Sequence, residues 1–444
     1  MDWVLVLLCL LSLVARAAAV VLPLRLQEVP PPAKNTVRFR RNVSLTVPVS
    51  VGTPPQNVTM VLDTGSELSW LLCNATTITS SSSSSPFNAS ASWTYRAVPC
   101  SSPDCQWRGR DLPVWPTCAP DSTSCRVSLS YADASSADGL LAADTFALAG
   151  AAAPAHALLF GCITSYYSSS STTGNFSDDA TTGLLGMNRG ALSLVTQTGT
   201  RHFAYCIAPG DAPGLLVLGD GDGYAAPRPL SYTPLVEVSL PLPYFDRAAY
   251  SVQLDGIRVG GTRLPIPKSA LAPDHTGAGQ TMLDSGTQFT FLLADAYAAL
   301  KREFANQTRA LLADEPGFAF QGAFDACFRA TEARMAVLLA TGTLPEVGLV
   351  LRGGAEVVVG GDRLLHAVPG ERRRRGAEGE EEEEAVWCLT FGSAEAAGVE
   401  AYVIGHHHQQ DVWVDYDLRN GRVGFAPARC DLVATQRLGA TTGA

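Results

Sequence analysis

A short pattern occurs twice in this chain, as Leu62-Asp63-Thr64-Gly65-Ser66 and as Leu283-Asp284-Ser285-Gly286-Thr287. Each copy lies between apolar runs, so each carboxylate sits on a tight glycine turn inside a largely buried sheet. The likeness extends outwards: Met60-Val61-Leu62 is answered by Thr281-Met282-Leu283, and Leu68-Ser69-Trp70-Leu71 by Phe289-Thr290-Phe291-Leu292. Each copy also has a distant companion, an apolar pair closed by glycine: Leu184-Leu185-Gly186 and Val403-Ile404-Gly405. Asp63 precedes Gly186 by 123 positions, and Asp284 precedes Gly405 by 121. Equal internal spacing in two half-chains predicts a duplicated lobe. An approximate twofold between such lobes brings Asp63 and Asp284 together on its axis. With 444 residues, the chain is long enough for two cores rather than one.

Paired acids suit one kind of chemistry. Two carboxylates within a few ångströms do not both ionise cheaply, so they share a proton. The ionised member draws a proton from water while the protonated member polarises a carbonyl, with no metal, cofactor or covalent intermediate. The pair titrates as a unit. The two motifs and their apolar-apolar-Gly partners resemble the pepsin family of aspartic proteases, and the Cys-rich stretch after the first motif is similar to its plant, nepenthesin-like branch. Longer strings strengthen that resemblance, which runs from about Val43 to Leu438. They are Pro243-Tyr244-Phe245-Asp246-Arg247, Asp274-His275-Thr276-Gly277-Ala278-Gly279-Gln280 and Gly405-His406-His407-His408-Gln409-Gln410.

The resemblance implies a mainly β, bilobal fold of two pseudo-twofold-related lobes with few short helices. It implies an aspartic endopeptidase acting on peptides or proteins, with a role in cell survival or development. The alternative on the same fold is a non-catalytic binding protein or hydrolase inhibitor. Asp63 and Asp284 take the catalytic positions, and Gly65 and Gly286 bring amide groups towards them. Thr64 and Ser285 are similar to the inner hydroxyls that cross-link the two loops. Ser66 and Thr287 are similar to the outer hydroxyls that bond the aspartates. Leu129 to Gly139 resembles the flap over the substrate, with Tyr131 as its covering residue and Ala134 where glycine is usual.

The expected organisation is a signal peptide over 1–19, a short pro or leader segment over 20–41, an N-terminal lobe over 42–225 and a C-terminal lobe over 226–438. The first lobe holds the Cys-rich insertion and the flap; the second holds a disordered charged loop at 370–385, where Arg372 to Arg375 precede Glu378 and Glu380 to Glu384. The apolar run Trp3 to Ala15 has signal-peptide length and is short for a membrane span. Setting aside Cys9 of the leader, the eleven cysteines leave an even ten, as in the oxidising secretory lumen or outside the cell. The resemblance pairs Cys327 with Cys388 and allows Cys206 and Cys430 to tie the lobes. Sequons stand at Asn42, Asn57, Asn74, Asn88, Asn175 and Asn306. Ala294 to Leu312 reads as a helix with Tyr297, Leu300, Phe304 and Leu311 on one face. His406-His407-His408 reads as the start of a strand running to Tyr416, its rings packing near the lobe floor rather than holding a metal. The net charge of −10 and the lack of a basic stripe argue against nucleic-acid partners, and a monomer is expected.

Overall fold

The computed structural model describes residues 19–28, 43–73, 86–118, 123–148, 155–167, 181–220, 224, 226–375 and 382–441. Asn42, Asn74, Asn175 and the leader run up to residue 18 lie outside these residues. Strands dominate, and the duplicated spacing is realised as parallel strand pairing. In the first half Gln56–Asp63 pairs with Gly183–Gly186, placing Gly186 opposite Asp63. In the second, Thr281–Asp284 pairs with Tyr402–Gly405, placing Gly405 opposite Asp284. The first of these inner strands ends in four buried residues, while the second alternates, with Met282 and Asp284 facing a cavity.

A platform joins the halves. Its strands run in the order Ser231–Pro234, Arg422–Pro427, Val412–Asp417, His202–Cys206, Gly214–Leu218 and Val20–Glu28, so the first and the last of the described strands both enter it. Cys206 and Cys430 are bonded beside it. The segment expected as a leader is therefore in part a strand. Val20–Glu28 pairs with Gly214–Leu218 and then with the strand from Val43, because alternation places Leu22 and Leu24 in the core.

The charged run also departs from expectation. Instead of a disordered loop, Leu365–Arg375 and Glu382–Leu389 form antiparallel strands, with Arg373 opposite Glu384 and Arg374 opposite Glu383; residues 376–381 lie outside the description. The register sets one charge block against the other. Arg373 also meets Glu315 at 2.5 Å, and Arg372 meets Glu332 at 2.7 Å. Next to this pair of strands, Cys327 and Cys388 are bonded across directly opposed positions. The helix of the second lobe spans Ala294–Thr308 and buries Tyr297, Leu300 and Phe304. It ends before Leu312 because Thr308 turns its hydroxyl onto the Phe304 carbonyl while Leu311 and Leu312 close back onto Thr308. No helix among the described residues is long and apolar enough to cross a membrane.

Candidate active site

Both aspartates stand at strand ends, where the chain turns on Thr64-Gly65 and on Ser285-Gly286. The turns grip each other. Thr64 N–H donates to Ser285 Oγ at 3.0 Å, and Ser285 N–H donates to Thr64 Oγ1 at 2.9 Å. The same hydroxyls donate across the axis, Thr64 to the Leu283 carbonyl at 3.1 Å and Ser285 to the Leu62 carbonyl at 2.8 Å. Thr64 and Ser285 are buried, so these bonds are shielded from water.

The carboxylates are held alike. Asp63 Oδ1 accepts from Gly65 N–H at 2.8 Å and Oδ2 from Ser66 Oγ at 2.5 Å. Asp284 Oδ1 accepts from Gly286 N–H at 2.7 Å and Oδ2 from Thr287 Oγ1 at 2.5 Å. Each loop also presses against the other's acid: a methyl group on Gly65 would run into the Asp284 carboxylate, and one on Gly286 into the Asp63 carboxylate. Side chains are excluded there by space, since neither glycine has a positive φ. The companion glycines repeat the symmetry. Gly186 N–H donates to Ser69 Oγ at 3.0 Å, and Gly405 N–H to Thr290 Oγ1 at 3.2 Å.

Over the dyad stands the hairpin of Cys125–Ser130 and Ser136–Ala147. Tyr131 follows its first strand, lines the same cavity as both aspartates, and accepts a hydrogen bond from Trp70 Nε1–H at 2.6 Å. Trp70 lies seven residues after Asp63, so the first loop anchors the residue above it. The role of Trp70 was not apparent in the sequence, where it read as one of several apolar positions. At the tip, Ala134 adopts φ 63°, a left-handed conformation that glycine would take without strain.

Behind Asp284 the chain departs from the expected strand. His406–Gln409 forms a single 3-10 turn, and the strand begins at Val412. The turn is fixed because His406 N–H and His407 N–H donate to the carbonyls of Thr287 and Gln288 at 2.8 and 2.9 Å. His406 Nδ1–H donates to the Ser285 carbonyl at 3.1 Å. His408 is wedged between two threonines, 2.6 Å from Thr290 Oγ1 and 2.8 Å from Thr390 Oγ1. Thr390 gives its own hydrogen to backbone carbonyls, so His408 Nε2 donates to it and Nδ1 accepts from Thr290. Burial, with His407 and Arg363 nearby, holds His408 well below the usual imidazole range. His407 is pushed down to about 3 by burial, with the positive ends of His406, His366 and Arg363 adding to it. These rings pack rather than converge. The sulfurs of Cys100, Cys105 and Cys118 do lie close together, but each is held in a disulfide, Cys100–Cys118 or Cys105–Cys125. Cys73–Cys162 is also closed. Of the sequons within the described residues, Asn57, Asn88 and Asn306 are exposed.

The chain resembles known proteins along most of its length. Residues 46–220 match the family model described as xylanase inhibitor N-terminal, and residues 249–427 the one described as xylanase inhibitor C-terminal. The chain is 48% identical to aspartic proteinase PCS1 of Arabidopsis thaliana, over 94% of its own length and 89% of that protein's. It is 31% identical to aspartic proteinase nepenthesin-2 of Nepenthes gracilis, covering 86% of this chain and 77% of that one. Among solved structures, basic 7S globulin from soybean superimposes with a TM-score of 0.62 at 18% identity, covering 94% of this chain and 99% of that one. At that identity the likeness speaks to the fold.

Proposed function

The chain belongs to the plant nepenthesin-like aspartic proteases, and from that premise we propose that it is an active endopeptidase with Asp63 and Asp284 as its catalytic pair. The observation that carries this reading is the mutual approach of two intact loops, each aspartate with a backbone and a hydroxyl donor and each glycine against the opposite acid. In the reaction, a water between the carboxylates gives a proton to the ionised acid and attacks the peptide carbonyl. The protonated acid hydrogen-bonds the carbonyl oxygen, and the proton then passes to the leaving nitrogen. The hydroxyl and amide donors hold the carboxylates for attack without themselves exchanging protons. Tyr131, fixed by Trp70, covers the cleft and excludes bulk water.

A second reading, a binding protein without activity, draws support from the description of the matching models as inhibitor halves. Retention of both acids and their complete donor sets favours the enzyme. Digestion of a diverse peptide library at several pH values decides between them: cleavage that peaks in acid supports the protease. Tight binding of a peptide bearing a tetrahedral hydroxyl, with no cleavage of any sequence, supports the binding protein. The closed disulfides favour folding in the secretory lumen, where Asn57, Asn88 and Asn306 are accessible for glycosylation. We extend the same likeness to a role in cell survival or development, which loss of the gene would test by the death or arrest of the tissues that express it.

A further inference from the structure

The dyad is not the only set of acids in the cleft. The cavity that holds Asp63 and Asp284, about 300 Å³, is also walled by Glu67, Asp111, Asp133 and Asp246, and no lysine or arginine lines it among the described residues. Asp133 is occupied by its own turn, accepting from Ser135 N–H and Oγ at 3.0 and 2.6 Å. Asp246 spends one oxygen on the N–H groups of Ala248 and Ala249, at 2.8 and 3.3 Å, and its other oxygen takes no hydrogen bond among the described residues. Asp111 is exposed and makes no ion pair there. Both Asp111 and Asp246 also line an adjoining cavity of about 1170 Å³, where Arg110, Arg189 and Arg247 join them, so they stand where the two spaces meet.

Glu67 lies deeper. It is 6% exposed; Oε1 accepts from Leu192 N–H at 2.8 Å, while Oε2 is buried with no hydrogen-bond partner among the described residues. Of the guanidinium groups nearby, three make contacts, although Arg189 Nε has no hydrogen-bond partner among the described residues. Arg108 pairs with Asp104 at 3.2 Å and donates to the Ala191 carbonyl at 3.1 Å. Arg189 meets Glu237 at 3.5 Å and the Arg247 carbonyl at 2.9 Å, though its charge is felt at Asp246. Arg110 stacks 3.8 Å from the Trp107 ring. The three acids act on one another across the lobes: the charges of Asp111 and Asp246 both oppose ionisation of Glu67, and Asp111 opposes that of Asp246. An arriving cation would relieve that repulsion and meet, on Glu67 and Asp246, an oxygen with no donor among the described residues.

We infer that the cleft selects peptides carrying a lysine or arginine side chain beside the scissile bond, seated between Asp111 of the first lobe and Asp246 of the second with Glu67 behind them. The inference rests on the endopeptidase reading above and adds a substrate class to it. A partly solvated pair of this kind favours the cationic side chain by about tenfold over an uncharged one of equal length, less in high salt.

Two measurements test it. The first is cleavage of a peptide series that varies one position at a time through lysine, arginine, norleucine and glutamate. One position next to the cut should prefer lysine over norleucine about tenfold in kcat/KM at low salt. Asp111→Asn and Asp246→Asn should each lower that ratio about threefold or more, and the double variant should bring it to about one. The second is calorimetric binding of an uncleavable hydroxyl-bearing peptide, with lysine or norleucine at that position. Cleavage without a basic preference at any position would overturn the acidic seat and leave the protease intact. No cleavage, but tighter binding of the lysine peptide that both Asn variants cancel, would overturn the protease and uphold the seat. A lysine preference untouched by either variant would place recognition elsewhere and overturn the assignment.

Discussion

The loop of Asp63 is backed by an acid and the loop of Asp284 by imidazoles, although the two backbones are hydrogen-bonded alike. Four residues after Asp63 comes Glu67, which takes Leu192 N–H; four residues after Asp284 comes Gln288, which takes Val43 N–H at 3.2 Å. Beyond the companion glycines stand Met187 and Asn188 on one side, His406 and His407 on the other. Duplication has kept what positions the carboxylates. Divergence has gone into what surrounds them, and the surroundings respond to pH in opposite directions.

Burial pushes Glu67 up to about 7, with Asp111 and Asp246 adding to it and the Leu192 amide opposing. A folded value above the unfolded one means that Glu67 contributes stability below about 4.5 which is lost as the pH rises towards 7. His407 is displaced the other way. Its contribution is present above 6.5 and is lost as the pH falls towards 3. The first loop is thus favoured by acid and the second by neutrality, each by roughly 3–5 kcal/mol at the far end of its range. Together they favour a stability maximum in mild acid.

The largest blow to the symmetry would come from the glycines. Gly65→Ala and Gly286→Ala each drive a methyl group into the opposite carboxylate, so both should lower kcat/KM by roughly a hundredfold or more in a chain that still folds. A loss confined to one of them would show that the two halves are not equivalent at the dyad. The pH limbs sharpen the contrast. Glu67→Gln should flatten the fall in denaturant midpoint above about pH 6.5, whereas His407→Gln should flatten the fall below about pH 4.5, and neither should alter the other's limb. If both variants moved the same limb, the opposition between the loops would be wrong.

The sequence disclosed the duplication because both copies keep their apolar flanks and their glycines at the same spacing, and parallel pairing needs those residues. It disclosed much less where partners are remote. Arg372 to Arg375 and the glutamates that follow each read as a solvated run; only the register of the hairpin makes them neighbours, with Glu315 and Glu332 supplied from elsewhere. The turn at His406 was hidden for a similar reason, since the carbonyls that bend it belong to Thr287 and Gln288. Val20–Glu28 read as a leader because one of the two strands it joins, Gly214–Leu218, lies 190 or more residues away in register. Glu67 gave no signal beyond its closeness to the motif.

A smaller effect separates the flap from everything in the second lobe. Ala134→Gly relieves the left-handed backbone at the hairpin tip at the cost of a more flexible unfolded chain, so the thermal midpoint should rise by no more than about 1–2 °C. A clear fall would mean that the alanine methyl group makes a contact the tip depends on.

The central claim is that the two equivalent loops deliver one catalytic unit, and a double-mutant cycle in turnover tests it most directly. Asp63→Asn and Asp284→Asn keep size and most hydrogen bonds but remove the shared proton. Each should lower kcat by about a thousandfold or more while peptide binding largely survives, and the double variant should be about as slow as either single one. Full turnover in either single variant, or losses that multiply in the double, would contradict a pair acting as a unit.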